Sequence, residues 1–318
     1  MRFNRWCIPV LALMTLPWAF PVLAQTNVRV AVAGAQAASI PFNVGTKKGI
    51  FARHGLNVEM IAIANGQTAA RAQVSGSVQL ATSNAVGFFY LAHQGAEPVG
   101  VASWNNSSPY SLASRLKVAD VTGLKGKKLG SSGAGGRSDA FIKFMMTKAG
   151  LDPRKDFQII SLTGGSAVRL AAVLSGSIDA TLISYTQEKQ AEKLGLTVIP
   201  IRMGYIQGAI TTQRPYLEKN RNTLKSFLRG LSESMSAIRA DKEGTIAVIA
   251  RVLKLDDREA LEHAYNVLRS EVVPDLLPTE ESIVNVLKTM SYEDPVFGSI
   301  PAFKYFDLSL LQEIKAGR

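Results

Sequence analysis

The chain has 318 residues and a net charge of +11 at pH 7, and 47% of its residues are hydrophobic. A chain of this length and apolar fraction can form two lobes with separate cores. Its 36 Lys and Arg residues are dispersed, without a basic run interleaved with aromatic residues, so a nucleic-acid partner is not expected. The excess of positive charge is consistent with a role in solubility, or with an electrostatic field that raises the encounter rate with an anionic small molecule.

Residues 1–24 are predicted to form a cleaved Sec signal peptide. Arg2 and Arg5 give a basic start, the apolar run 6–20 is short for a membrane span, and Val22-Leu23-Ala24 supplies the cleavage positions. The mature chain would begin at Gln25 with a net charge of +9 and no cysteine, which excludes disulfides and Cys-based chemistry. We therefore expect an unlipidated periplasmic protein; a retained N-terminal anchor is the alternative, which three prolines in the leader oppose.

One segment occurs twice, because Ser75-Gly76-Ser77-Val78 returns one hundred positions later as Ser175-Gly176-Ser177-Ile178. Each copy closes a short Ala-rich helical pattern that starts at a polar Gly turn, and each leads into an apolar stretch that ends in hydroxyl-bearing residues. The repeat predicts two similar α/β lobes. We interpret Gly76 and Gly176 as structural helix exits. The polar turns upstream are the ligand-binding candidates, since helix N-termini present unpaired N–H groups and partial positive charge.

Strands and helices alternate through most of the mature chain. The first lobe is predicted to have strands at 28–33, 56–63, 79–82 and 99–103, helices at 40–53 and 84–93, and an extended crossing strand at 110–117. The second lobe is predicted to have strands after Lys128 and at 157–162, 178–183 and 196–201, with a helix at 188–193. This alternation is typical of mostly parallel sheets with helices on both faces. The chain then returns to the first lobe through 205–212.

From Pro215 onward the pattern is almost entirely helical. Apolar residues recur there with helical spacing, and we expect two core-facing stripes. The first consists of Leu224, Phe227, Leu228, Leu231, Met235 and Ile238, and the second of Ile246, Ile249, Val252 and Leu253.

Several motifs occur in an order that resembles a known family. They are Gly49-Ile50-Phe51 followed by Gly55-Leu56-Asn57-Val58-Glu59, the Gly66-Gln67-Thr68 turn, the segment 124–130 (LKGKKLG), and the helical C-terminal part behind a leader. The mature chain is similar over essentially its whole length to nitrate/sulfonate/taurine-type solute-binding proteins of ABC importers, the SsuA/THI5-like or NMT1-like family. Each motif is weak alone, and their order carries the resemblance.

The resemblance implies a type II periplasmic binding protein fold, in which two α/β lobes close on a ligand. The expected segments are 25–115 and 204–318 for lobe 1 and 116–203 for lobe 2. The family places ligand contacts in turns at the inner ends of strands, in agreement with the general position of sites in open α/β sheets. The matching residues in this chain are Gln36, Gly66, Gln67, Thr68, Thr82, Ser83, Asn84, Ser131, Ser132, Gly135, Gly136, Arg137, Ser138, Gly164, Gly165, Ser166, Ser184 and Tyr185.

Charged and aromatic candidates each have two interpretations. Arg137 follows a Gly-rich run and could pair with a carboxylate or sulfonate, or could be a solvated first-turn residue. Arg71 and Arg169, within the repeated helices, are predicted to lie on the surface. The aromatic residues Trp104, Tyr110, Tyr185 and Tyr205 could wall the pocket or pack at the hinge, and Tyr185 is the preferred wall.

The sequence offers little for catalysis. His54, His93 and His263 lie in separate contexts with no partner at metal-ligand or triad spacing, and each is predicted to be a surface residue or a helix cap. We therefore predict a monomeric substrate-binding component without metal or cofactor, which takes a small anionic or polar solute to a permease and its ATPase subunit. A type II-fold enzyme and an exported ligand sensor remain the alternatives.

Overall fold

The computed structural model describes residues 25–33, 36–63, 66–83, 85–108, 110–133, 137–162 and 165–317. The strands in these ranges are β1 (Thr26–Ala33), β2 (Leu56–Ile63), β3 (Leu80–Ser83), β4 (Pro98–Ser103), β5 (Tyr110–Ser114), β6 (Lys128–Ser131), β7 (Gln158–Ser161), β8 (Ala180–Ser184), β9 (Thr197–Ile201) and β10 (Ala209–Gln213). The predicted leader, residues 1–24, lies outside the described residues.

Helices follow most of the strands. They are α1 (Ile40–Lys47), α2 (Ile50–Arg53), α3 (Gly66–Val74), α4 (Val86–His93), α5 (Arg137–Lys148), α6 (Gly165–Leu174), α7 (Glu188–Lys193), α8 (Arg214–Lys219), α9 (Arg221–Ala240), α10 (Lys242–Leu253), α11 (Arg258–Glu271), α12 (Glu280–Ser291) and α13 (Ser309–Lys315). Short 3₁₀ helices span Gln36–Ser39, Val121–Leu124, Tyr185–Gln187 and Pro295–Ser299. None of the helices in the described ranges is long and apolar enough to cross a membrane.

The ten strands form two five-stranded sheets with the same topology. The first has the order β2-β1-β3-β10-β4, and the second has the order β7-β6-β8-β5-β9. In each sheet the fourth strand is the antiparallel one, and it arrives from the other sheet through a crossing segment. The two α/β units predicted from the repeat are therefore present, each with a mixed, mostly parallel sheet.

The inner strands of each sheet are largely buried on both faces, whereas the edge strands β2 and β7 have exposed positions. In β1, Val28, Val30 and Val32 belong to the large core under α1 and α9, whereas Ala31 packs on the opposite face with Ala69 of α3. This division follows from the alternation of side chains along a strand. The predicted C-terminal stripe from Leu224 to Ile238 is confirmed, because all six residues are buried in the same large core.

The repeated helix exits have the same geometry. Gly76 and Gly176 have φ of +74° and +76°, a left-handed conformation that glycine adopts without strain. In each copy the serine before the glycine donates its hydroxyl to a carbonyl three residues earlier, with Oγ–O distances of 3.0 and 3.1 Å. The structural interpretation of both glycines is therefore confirmed.

Two elements differ from the sequence-based expectation. The predicted helix 40–53 is divided into α1 and α2, because Gly49 adopts φ +64° between them. The segment from Tyr110, expected to end lobe 1 at residue 115, forms β5 and pairs with β8 and β9 in the second sheet. The chain thus changes sheets between Ser103 and Tyr110. The expected return after residue 203 falls in the segment 202–208 between β9 and β10.

Candidate ligand-binding site between the two sheets

The candidate residues of lobe 1 lie at one edge of the first sheet. Strands β1, β2 and β3 are parallel, so their carboxyl ends meet there. The 3₁₀ helix at Gln36 and helix α3, which starts with Gly66, Gln67 and Thr68, both begin at that edge. Thr82 and Ser83 end β3, and Asn84 lies outside the described residues.

The candidate residues of lobe 2 occupy the equivalent edge of the second sheet. Strands β6, β7 and β8 are parallel, and their carboxyl ends lead into α5, α6 and the 3₁₀ helix Tyr185–Gln187. The structure places these candidates at strand ends or in the first turns of those helices: Ser131, Ser132, Arg137, Ser138, Gly165, Ser166, Ser184 and Tyr185. The candidates Gly135, Gly136 and Gly164 lie outside the described residues.

The two carboxyl edges face each other because both crossing segments join them. Ser103, at the end of β4, pairs with Ala209 of β10, which in turn pairs with Ser83 at the end of β3. On the other side Tyr110 of β5 pairs with Ser184, at the end of β8. The six residues 104–109 connect Ser103 to Tyr110 in seven Cα–Cα steps, which limit the gap at this point to about 25 Å.

The crossing segments pair with each other as an antiparallel ribbon. The backbone N–H of Trp104 donates to the carbonyl of Gly208 at 3.0 Å, Tyr205 N–H donates to Asn106 O at 2.8 Å, and Ser108 N–H donates to Met203 O at 3.0 Å. Helix α12 holds the ribbon from one side, because the Asn285 amide donates to the carbonyl of Gly204 at 2.7 Å. The link between the lobes is thus a hydrogen-bonded double strand.

Trp104 anchors this ribbon to the first sheet. Its indole Nε1–H donates to the Thr82 hydroxyl at 2.9 Å, and only 6% of Trp104 is exposed. The Thr82 hydroxyl therefore already accepts one hydrogen bond, so its contact with a ligand stays a prediction. Of the two interpretations of Trp104, packing at the hinge agrees with this geometry.

Three serines organise the turn between β6 and α5. The backbone N–H of Ser132 donates to the Ser138 hydroxyl at 2.7 Å, and that hydroxyl donates to Ser132 Oγ at 2.8 Å. Gly133 N–H donates to Ser131 Oγ at 3.2 Å. These bonds tie the strand end to the first turn of α5, where the helix dipole places partial positive charge. The only acidic residue in that turn, Asp139, is buried and paired with Lys143 Nζ at 2.8 Å.

Ser184 and Tyr185 have structural partners in this arrangement. The Ser184 hydroxyl accepts from the backbone N–H of Thr186 at 3.4 Å and caps the 3₁₀ helix. Tyr185 is 5% exposed and packs into the large core of the first lobe. Burial, reinforced by the negative charge of Glu271, raises the pKa of the Tyr185 hydroxyl. Tyr185 is therefore neutral over the physiological range.

The structure shows a carboxylate near this edge that sequence reasoning missed. Glu271 is the last residue of α11, and the next residue, Val272, forms an antiparallel bridge with Asn105 of the ribbon. Burial raises the pKa of Glu271, and the positive charge of Arg202 opposes that increase. Nothing in the local sequence around Glu271 distinguishes it from the other helical glutamates, so only the fold could reveal it.

The arginine predictions had mixed outcomes. Arg71 is exposed on α3, as predicted. The prediction for Arg169 was wrong, because this residue is 7% exposed and its Nε donates to Thr181 Oγ1 at 3.2 Å. Its helix packs against β8, so this face of the helix turns toward the sheet instead of the solvent. The side chain of Arg137 is not among the described features, and its role stays a prediction.

The starts of three helices give the candidate site its hydrogen-bond donors. Helices α3, α5 and α6 all start at the two facing edges, so each directs its N-terminal N–H groups there. Within the described ranges no group of three or more His, Cys, Asp or Glu residues could hold a metal ion. The arrangement can therefore supply hydrogen-bond donors and partial positive charge to one molecule between the sheets.

The sequence profile of the NMT1/THI5-like family matches residues 36–244, and the chain belongs to this family. The protein YtlA of Bacillus subtilis (strain 168), named as a binding protein, is 25% identical over 215 residues. That alignment covers 65% of this chain and 64% of YtlA.

Solved structures share the fold. A protein of Bordetella bronchiseptica RB50 has a TM-score of 0.75 at 19% identity, covering 93% of this chain and 99% of that one. The periplasmic aliphatic sulphonate-binding protein SsuA of Escherichia coli has a TM-score of 0.67 at 20% identity, covering 89% and 91%. The periplasmic nitrate-binding protein NrtA of Synechocystis PCC 6803 has a TM-score of 0.64 at 16% identity, covering 92% and 89%. The fold is that of periplasmic binding proteins, with two α/β lobes and a cleft between them.

Proposed function

We propose that this protein is the periplasmic substrate-binding component of an ABC importer. It captures a small anionic or polar organic solute in the cleft between its lobes and delivers it to a membrane permease that works with an ATPase subunit. It acts as a monomer, binds no nucleic acid, uses no cofactor and catalyses no reaction. The leader at residues 1–24 directs its export, and cleavage leaves Gln25 as the first residue.

One observation supports the proposal most strongly. Both crossing segments join the carboxyl edges of the two sheets, and the helices α3, α5 and α6 begin at these two joined edges. Such edges are where open α/β sheets bind ligands. Membership of the NMT1/THI5-like family and the binding-protein names of SsuA and NrtA agree with it.

The ligand class follows from the donors. Unpaired N–H groups at helix starts stabilise anions and polar acceptors, whereas a cation would leave those groups unpaired at about 1–3 kcal/mol each. The sulfonate and nitrate ligands in the names of SsuA and NrtA are anions of this kind. We therefore propose a sulfonate, an oxyanion, a carboxylate or a polar heterocycle.

A thermal-shift screen of the chain from Gln25 tests the proposal. The panel comprises sulfonates, nitrate and other oxyanions, carboxylates, pyrimidines and riboflavin-like compounds, with sodium chloride at equal ionic strength as the control. At about 100 times Kd the bound compound should stabilise the protein by about 2.7 kcal/mol. Stabilisation by cationic compounds alone would contradict the proposed ligand class.

The same compound separates the two alternative functions. If the protein is a binding protein, the compound is recovered chemically unchanged after long incubation, whereas conversion would identify an enzyme of this fold. Stimulation of ATP hydrolysis by a permease and ATPase encoded beside this gene would support import over sensing.

A further inference from the structure

A row of charged contacts between helices also joins the two lobes. Helix α7 packs on the second sheet, and helix α11 packs on the core of the first lobe. Lys193 pairs with Asp257 just before α11 and with Glu259 at 3.3 Å, and Lys189 approaches Glu259 at 3.6 Å. We name this contact the interlobe seam and define it by Glu188, Lys189 and Lys193 on one side and Asp257, Glu259 and His263 on the other.

Glu188 is the buried centre of the seam. Its side chain is 2% exposed and accepts hydrogen bonds from three elements: the Ser111 hydroxyl, Arg202 Nη2 at 2.7 Å, and His263 Nε2 at 2.6 Å. Burial alone would raise the pKa of Glu188, but these three donors lower it below its usual range. Glu188 therefore stays anionic and depends on its donors for compensation.

Of these three kinds of donor, only an imidazole can change its charge near neutral pH. The guanidinium of Arg202 is always charged and the Ser111 hydroxyl is always neutral, whereas an imidazole titrates between about pH 5 and 8. A charged imidazole adds Coulomb attraction to its hydrogen bond with a carboxylate, and a neutral imidazole lacks that attraction. The strength of this contact between lobes is thus coupled to the protonation of His263.

We propose that the His263–Glu188 pair is a pH-dependent latch between the two lobes. Protonation of His263 tightens α7 against α11, and its deprotonation loosens the seam, so the relative freedom of the lobes changes with pH. The consequence for ligand capture rests on the proposed function, but the latch itself does not.

The surrounding charges adjust the latch without replacing it. Lys189 of α7 and Arg202 of the second crossing segment oppose a positive charge on His263. Carboxylates on its own helix and on the adjacent α10 favour that charge, and Tyr185 is a neutral neighbour. The charged groups on α10 and α11 besides His263 are Lys242, Glu243, Arg251, Arg258, Glu259, Glu262, Arg269 and Glu271. Glu271, whose pKa is raised by burial, is the other group that could respond to pH.

The chain supplies a matched control in His54. Its Nε2 lies 2.9 Å from Glu233, and its side chain is 26% exposed against 27% for His263. Both residues of the control pair lie in the first lobe, at α2 and α9. His54→Gln therefore removes a His–Glu pair with a similarly exposed imidazole and a 44% exposed carboxylate, without touching the seam.

Hydrogen exchange measured by mass spectrometry tests the latch without any ligand. The chain from Gln25 is compared with His263→Gln at about pH 5.5 and about pH 8, near the two ends of the imidazole range. Gln can still donate one neutral hydrogen bond to Glu188. We expect amides in 185–193 to exchange about fivefold faster in His263→Gln than in wild type at the lower pH, and at nearly equal rates at the higher pH. His54→Gln should leave this peptide unchanged at both pH values.

Trp104 provides an independent readout, because it is the only tryptophan after residue 24 and lies in the ribbon. Its emission should change with pH in wild type and in His54→Gln, and this change should largely disappear in His263→Gln. The latch would be overturned if the ratio of exchange rates between His263→Gln and wild type did not depend on pH. It would also be overturned if the pH response were lost in Glu271→Gln but kept in His263→Gln. Ligand binding in the thermal-shift screen would stand in either case, so the two proposals can fail separately.

Discussion

Gly208→Ala tests whether Trp104 is held rigidly at the hinge. A Cβ at Gly208 would lie 2.7 Å from the indole Nε1 and Cε2 of Trp104. Atoms in favourable contact are about 3.5–4.0 Å apart, so the ring must move by about 1 Å. That movement would lengthen the 2.9 Å bond from the indole to Thr82 beyond hydrogen-bonding distance.

The expected cost combines two effects. An unpaired buried N–H costs about 1–3 kcal/mol, and overpacking costs typically about 1–3 kcal/mol, so we expect a loss of about 3 kcal/mol in the free energy of unfolding. Urea denaturation followed by circular dichroism measures the loss, and Trp104 emission reports the displaced ring. Gly298→Ala is the control, because its Cβ would make only an ordinary 3.4 Å contact with Ser291. Equal stability of the two variants would refute the reasoning.

Three further predictions concern charge and processing. Arg137→Ala should weaken the binding of an anionic ligand by about 2 kcal/mol, measured by calorimetry. Arg71→Ala, on the exposed face of α3, should change the affinity little. Unchanged affinity in Arg137→Ala would show that Arg137 does not contact the ligand. Asp179→Asn should cost about 2 kcal/mol at neutral pH. Burial raises the pKa of this carboxyl, but the backbone N–H of Lys128 donates to Oδ2 and Arg115 donates from Nε and Nη2 to Oδ1, and these donors lower the pKa below its usual value. That stabilisation is present above about pH 4 and is lost as the pH falls through the lower folded-state pKa, so urea denaturation in strong acid should show a smaller difference between the two proteins. The intact mass of the protein exported by a bacterium should match a chain starting at Gln25, and a lipid-modified or unprocessed mass would contradict this.

Local patterns predicted most of the elements. Strand β2 has the bounds 56–63 expected from its apolar alternation, and α7 has the expected bounds 188–193, because Gly and polar residues mark their ends. The break at Gly49 was missed, because two short helices with a continuous apolar stripe have the pattern of one longer helix. Sheet membership of β5 was also missed, since pairing with β8 and β9 depends on residues about 70 to 90 positions away.

The site was predictable as a set of turns but not as a set of contacts. Parallel strands place their carboxyl ends together, so the sequence could indicate which turns face the cleft. It could not indicate that Arg169 is buried on Thr181, or that Glu188 meets His263 across 75 positions of sequence. His263 was predicted to be a surface or capping residue, but it is a partner of a buried carboxylate in the other lobe. Such pairings depend on how whole lobes pack, which short-range patterns do not encode.

The chemistry of the contacts on the two sides of the ribbon determines how the lobes can move. On one side, α5 and α12 share an apolar core in which Phe141 packs edge-on against Tyr205 at 5.1 Å, with the Lys143–Glu293 pair at its edge. On the other side, the interlobe seam is formed mainly by ion pairs that are partly exposed and therefore screened by salt. Separating the apolar side would expose hydrophobic surface to water, at a free-energy cost of about 25 cal/mol per Å². The charged side groups, in contrast, regain their hydration when that side opens. Rotation of the lobes should therefore pivot on the α5–α12 contact and open at α7–α11, where pH can influence it.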